Sequence, residues 1–110
     1  MLKEFQKKFG LTKGGSDKRF LDERGNMMYE ELCEYYRAIK NNDPENVLDG
    51  LVDLVYFAIG TATLLEWDFN EAFRRVHAAN MKKVRAYTER SAVDLIKPNG
   101  WEAADLSDLV

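Results

Sequence analysis

From about Phe20 to Lys40 the apolar residues Met28, Leu32, Tyr35 and Ile39 recur at spacings of three and four, the period of a helix with one buried stripe. Asn41-Asn42 ends that helix, and Asp43-Pro44 starts the next. The carboxylate caps free amides, and proline fits the first helical position, where no amide donor is needed. The element that follows runs to about Leu65 and is apolar on nearly every side, which calls for other helices, or another subunit, around it. Asp68 and Glu71 then have capping-box spacing, with aspartate in place of serine or threonine. Phe69, Phe73, Val76, Val84 and Tyr87 follow as one stripe and predict a fourth helix to about Tyr87. The first 20 residues, with Gly10, Gly14 and Gly15, predict a short helix and then a flexible stretch to about Lys18. Lys97-Pro98-Asn99-Gly100-Trp101 predicts a turn before a short acidic end. No alternation of period two is long enough for a sheet, and no repeat is present. The expected fold is all-α and four-helix-bundle-like.

Composition narrows the function. A chain of 110 residues with 45% hydrophobic composition closes one ordinary core, so a single domain over 1–110 is expected, with 1–20 as a flexible N-terminal segment and 90–110 as a tail. Nineteen acidic against sixteen basic side chains give a net charge of −3, which lacks the broad positive field a nucleic acid requires. The single cysteine, Cys33, forms no internal disulfide, and no signal-peptide pattern opens the sequence, so a cytoplasmic setting is expected. Leu54 to Leu65 runs 12 residues without a charge, short of the ~18 that suggest a membrane span, and predicts a buried core helix.

Carboxylates break this pattern. At ~100° per residue, Glu31 points the same way as Met28, Tyr35 and Ala38, inside the apolar stripe, and Glu34 sits at its edge. Asp49 and Asp53 lie four apart on one face of the next, largely apolar helix. Burying unpaired carboxylates costs several kcal/mol, and grouping them raises the cost until they take up protons or a cation. Any one of these acids alone reads better as an internal ion pair or a solvated helix edge; four at helical spacing on adjacent elements read better as a site for Mg²⁺ or Mn²⁺. Asn80 and Lys83 fall inside the stripe of the fourth helix, where an ammonium wants an anion such as a polyphosphate; a snorkelling lysine and a locally capping asparagine are the plain alternative.

These residues carry a resemblance. Glu30-Glu31-Leu32-Cys33-Glu34 is similar to the Glu-Glu-x-x-Glu signature of the group formed by MazG, phosphoribosyl-ATP pyrophosphatase and the dimeric dUTPases, whose second half is Glu-x-x-Asp on the next long helix. Here that stretch is Gly50-Leu51-Val52-Asp53, with the aspartate present and glycine at the glutamate position. The surroundings Asp49 to Tyr56, Gly60-Thr61-Ala62, Val76 to Lys83 and Lys97 to Trp101 resemble the short phage-associated MazG-like proteins. The resemblance implies a MazG/dUTPase-type fold with helices packed between subunits of a homodimer or homotetramer, and, for a phage-encoded chain, the host cytoplasm.

It also implies Mg²⁺- or Mn²⁺-dependent hydrolysis of a nucleoside triphosphate between the α- and β-phosphates, giving a monophosphate and pyrophosphate. Glu31, Glu34 and Asp53 would hold metal, and Asn80 and Lys83 would contact the triphosphate. Asp49 is inferred as the replacement ligand, and Glu30 or Glu34 as the carboxylate that accepts the proton of water. Lys97 is a further candidate for a phosphate and Trp101 for a base, although a tryptophan after Pro-Asn-Gly more often pins a tail to the core. His77 reads as a structural histidine and Gly60 as a point of close helix packing. Phosphoribosyl-ATP as substrate is the first alternative, and a non-catalytic helical module binding nucleotides or a protein partner is the second.

Overall fold

The computed structural model describes residues 1–10 and 18–110. The flexible stretch expected before Lys18 lies largely outside the described residues. Helix α1 spans Leu2–Lys8, α2 Lys18–Lys40, α3 Pro44–Leu64 and α4 Phe69–Asn80, and the fold is all-α as expected. The chain divides into two compact units, Met1–Trp67 and Asp68–Val110.

In the first unit α2 and α3 form an antiparallel pair, and α1 packs on α3. The turn between the long helices follows the chemistry of its residues. Asn42 adopts a left-handed φ of 51°, tolerable for asparagine, and the amide of Asp43 reaches back to the carbonyl of Ala38 at 3.0 Å. Asp43 then caps α3: its Oδ1 accepts from the backbone N–H of Asn46 at 3.2 Å, with Pro44 in the first turn. Gly50 is buried where α3 faces α2; a Cβ there would lie 3.4 Å from Cβ of Tyr35.

Helix α3 departs from the expected buried core. Its buried residues are Gly50, Gly60, Ala62 and Leu64, while Leu48 is 63% exposed, and Leu51, Val52, Val55 and Tyr56 are exposed as well. The 12-residue count from Leu54 to Leu65 also undersold it, since α3 is long and apolar enough, by length and composition alone, to cross a membrane. Within a single chain α1 and α2 cover only part of an element that is apolar all round.

The second unit corrects the sequence reading twice. Helix α4 is capped as expected, Oδ1 of Asp68 accepting from the N–H of Glu71 at 3.0 Å, but the Glu71 carboxylate binds Arg74 and Arg75 instead of closing a capping box. The helix ends at Asn80, seven residues before the predicted Tyr87. Its last carbonyls are taken by tight turns, Lys82 N–H to Ala79 and Lys83 N–H to Asn80, and Val84–Ala86 forms a strand, β1, paired antiparallel with β2, Asp94–Ile96. Val84 and Tyr87 therefore do not extend the stripe of α4: Tyr87 is 84% exposed, and Lys83 lies beyond the helix rather than within its apolar face. Three residues per strand are too few to show an alternation, so the hairpin had no signature of its own. It is closed by reciprocal backbone bonds between Thr88 and Ser91, and by Asp94, which accepts from the Thr88 hydroxyl and pairs with Arg90.

Candidate active site

The inward carboxylates of α2 and α3 do meet. Glu31 is half-buried, and its Oε2 is fully shielded from solvent with no hydrogen-bond partner among the described residues. Burial pushes the Glu31 carboxyl above its ordinary range, and the nearby charges of Glu34 and Asp53, each within hydrogen-bonding reach, push it further. Burial also raises Asp53, followed by Asp49 beside it on α3; Glu34 adds to the rise, while the hydrogen bond from Glu31 works against it. Glu31 and Asp53 are coupled across the two helices, each titrating under the influence of the other. Four acids from two helices thus form one electrostatic cluster, and Asp49, one turn before Asp53, is part of it.

An orphaned buried oxygen among carboxylates that raise one another is a donor set short of positive charge. An all-oxygen set of this kind fits a hard divalent cation. Among the described residues no group of three or more Asp, Glu, His or Cys is arranged to hold a metal as the side chains stand, so closing a coordination shell there requires the carboxylates to rotate. Exposed Asp49 and Glu34 are free to do so.

Beside the cluster lies an open cleft of about 370 Å³, lined by Glu34, Arg37, Ala38, Asn41, Asp43, Asn46, Asp49 and Gly50. Glu30 is exposed, does not line this cleft, and is not among the groups acting on Glu31 or Asp53.

The remaining candidates lie in the second unit, three of them in one place. The ammonium groups of Lys83 and Lys97 stand 5.2 and 5.1 Å from the centroid of the Trp101 ring. The indole is fixed, its Nε1–H donating to the carbonyl of Ala79 at 2.7 Å, and the turn that delivers it is closed by the Trp101 N–H on Pro98 O, with Gly100 at a φ of 81°. Trp101 pins the tail to α4, and its ring carries the ammonium groups of both lysines. Asn80 is exposed at the end of α4. His77 is exposed rather than satisfied in a core, and its ring makes no hydrogen bond among the described residues.

Gly60 admits polar groups as well as a helix. Gln6 of α1, only 8% exposed, donates to its carbonyl at 3.2 Å, and the Arg24 guanidinium packs against its Cα. The sequence reading missed Arg24, although the test applied to Glu31 would have found it: seven residues earlier, it is a charge on the same face of α2.

The all-α fold with its paired long helices is that expected of a nucleotide pyrophosphohydrolase of the MazG-like superfamily. The family model described as phosphoribosyl-ATP pyrophosphohydrolase matches residues 2–80, and the chain belongs to that family. No curated protein matches the chain. Enzymes of this superfamily are generally dependent on divalent metals. The match ends at Asn80, so Lys83, Lys97 and Trp101 lie beyond it.

Proposed function

We propose that this protein hydrolyses a nucleoside triphosphate between its α- and β-phosphates, releasing a monophosphate and pyrophosphate, with Mg²⁺ or Mn²⁺ held by Glu31, Glu34, Asp49 and Asp53. The observation that carries the reading is the shielded, unpartnered Glu31 Oε2 amid three further carboxylates. A metal bound there would neutralise phosphate charge, polarise the attacked phosphorus and lower the pKa of a bound water. The attack forms a bond from water oxygen to the α-phosphorus, and the bond to the bridging oxygen breaks, its electron pair leaving with pyrophosphate. Glu34, exposed and lining the cleft, is the better placed of the two candidate bases to take the water's proton; Glu30 lines no part of it. Asn80 and Lys83 are assigned to phosphate oxygens on the strength of the resemblance, and Lys97 is a further candidate for a phosphate.

The family match favours phosphoribosyl-ATP as a second reading of the substrate on the same chemistry. Leu48, Leu51, Val52, Val55 and Tyr56, exposed along α3, form an apolar surface suited to a second copy of the chain, so a homodimer or a tetramer of such dimers is part of the proposal. A cytoplasmic setting and kinship with the short phage-associated members complete it. Pyrophosphate release from the eight common nucleoside triphosphates and from phosphoribosyl-ATP, with each metal, tests it. Turnover of a nucleoside triphosphate supports the first reading and turnover confined to phosphoribosyl-ATP the second. Nucleotide binding without any turnover returns the chain to a non-catalytic module.

A further inference from the structure

Two helical turns before Glu31, or ~10 Å along the axis at 1.5 Å per residue, Arg24 occupies the same face of α2. It is half-buried and held from several sides. Its Nε–H donates to Oγ1 of Thr61 at 3.0 Å, and that hydroxyl donates to the Phe57 carbonyl at 2.6 Å, so the oxygen's lone pairs are committed to the arginine. The guanidinium lies 5.2 Å from the centroid of the Phe57 ring. Gly60 makes the room, since a Cβ there would stand 3.2 Å from Nη2 of Arg24 and 3.6 Å from Nε2 of Gln6.

Despite this, Arg24 has no carboxylate within ion-pair distance among the described residues. A guanidinium stays charged when partly desolvated, and one left without a counter-ion is costly to keep. A side chain that merely filled the gap between α2 and α3 would need no charge. What the helices hold is a planar fork with Nε spent on Thr61 and both terminal nitrogens without a hydrogen-bond partner among the described residues. That is the geometry that takes a phosphate through two parallel bonds.

We propose that Arg24, positioned by Thr61, Phe57 and Gly60, is a second anion site that holds a phosphate of the nucleotide whose phosphoanhydride lies at the carboxylates. It rests on the hydrolase reading for the placement of that phosphoanhydride. A phosphate at this separation has two sources, the terminal phosphate of a nucleoside triphosphate or the phosphate of a phosphoribosyl group attached to the base.

Calorimetric binding of α,β-methylene-ATP with Mn²⁺, which needs no turnover, and KM and kcat for phosphoribosyl-ATP test the site in wild type, Arg24→Met, Arg24→Lys and Gly60→Ala, with thermal melts of each. Loss of a charge-assisted contact weakens binding roughly ten- to a hundred-fold. Arg24→Met is expected to show this loss, Arg24→Lys most of it because the fork is gone, and Gly60→Ala a smaller one, since the added methyl displaces the guanidinium. Weaker binding of the ATP analogue identifies the terminal phosphate. A raised KM for phosphoribosyl-ATP with unchanged kcat, and unchanged binding of the analogue, identifies the phosphoribosyl phosphate. The proposal is overturned if Arg24→Lys, or any variant that melts like wild type with Arg24 removed, keeps both affinities within two-fold, or if wild type binds neither ligand. Arg24-dependent binding with no pyrophosphate release from any nucleotide would overturn the hydrolase reading and leave the anion site standing.

Discussion

Glu31 on α2 and Asp53 on α3 stand within hydrogen-bonding reach of each other, and burial lifts both above the ordinary range of a carboxyl group. Crowded acids of this kind are relieved by a proton or by a cation. The consequences are measurable.

Asp49 tests the departure from the family pattern. It presses on Asp53 from one turn away, where a helix brings residues four apart onto one face. Asp49→Asn is expected to cut metal affinity and turnover nearly as severely as Asp53→Asn, read by metal titration and pyrophosphate release. Gly50→Glu restores the family's residue at a buried position against the backbone of Tyr35, so it is expected to lose roughly 1–3 kcal/mol of stability by overpacking and to leave activity unimproved. Normal metal affinity in Asp49→Asn would reduce the site to three carboxylates.

The metal-free protein has opposing responses to pH. Glu31 and Asp53 are raised on folding, so the stability they contribute is present in full below their unfolded values and is lost as pH rises through their folded ones. Glu71, held down to about 2 by hydrogen bonds from Arg74 and then Arg75, acts in reverse, as does Asp108 under Arg75; their contribution is present above the unfolded carboxylate range and disappears as pH falls toward the folded values. Melting in chelator should therefore show the first unit firming as pH drops below neutrality and the second loosening in stronger acid. Glu31→Gln should raise the neutral-pH melting temperature of the metal-free protein. A lowered one would mean that Glu31 is a stabilising partner and not a crowded charge.

Trp101 is expected to be structural first. Trp101→Phe keeps a ring for Lys83 and Lys97 but removes the donor to Ala79 O, a loss of roughly 1 kcal/mol, and Trp101→Ala should cost more. Chemical denaturation of both variants checks the order. Equal stability with a changed base preference would restore the stacking role.

How much of this was legible in the sequence depends on how far periodicity reaches. Helices α2 and α3 were, because Asn42, Asp43 and Pro44 punctuate them and the stripe of α2 runs uninterrupted. So was the gathering of Glu31, Glu34, Asp49 and Asp53, because a charge inside an apolar stripe must face whatever the stripe faces. The end of α4 was not: Val84 and Tyr87 fall in phase with Phe69 and Phe73 by coincidence, and phase says nothing about whether hydrogen bonding continues past Asn80. Nor was the exposure of α3, since apolarity all round states that a helix needs cover without stating that its own chain supplies it. Arg24 was legible on the ground that served Glu31, as a charge in phase with it on one face of α2.

On this reading the carboxylates of α2 and α3 bind the metal that hydrolysis requires. That requirement is tested most directly by pyrophosphate release from nucleoside triphosphates and phosphoribosyl-ATP, with Mg²⁺ and with Mn²⁺, by wild type and Glu31→Gln, each also measured in excess chelator. Wild type with metal is expected to release pyrophosphate, and wild type in chelator and Glu31→Gln, its helical content unchanged, only at background; full turnover by Glu31→Gln, or by wild type in chelator, would show that these carboxylates hold no required metal.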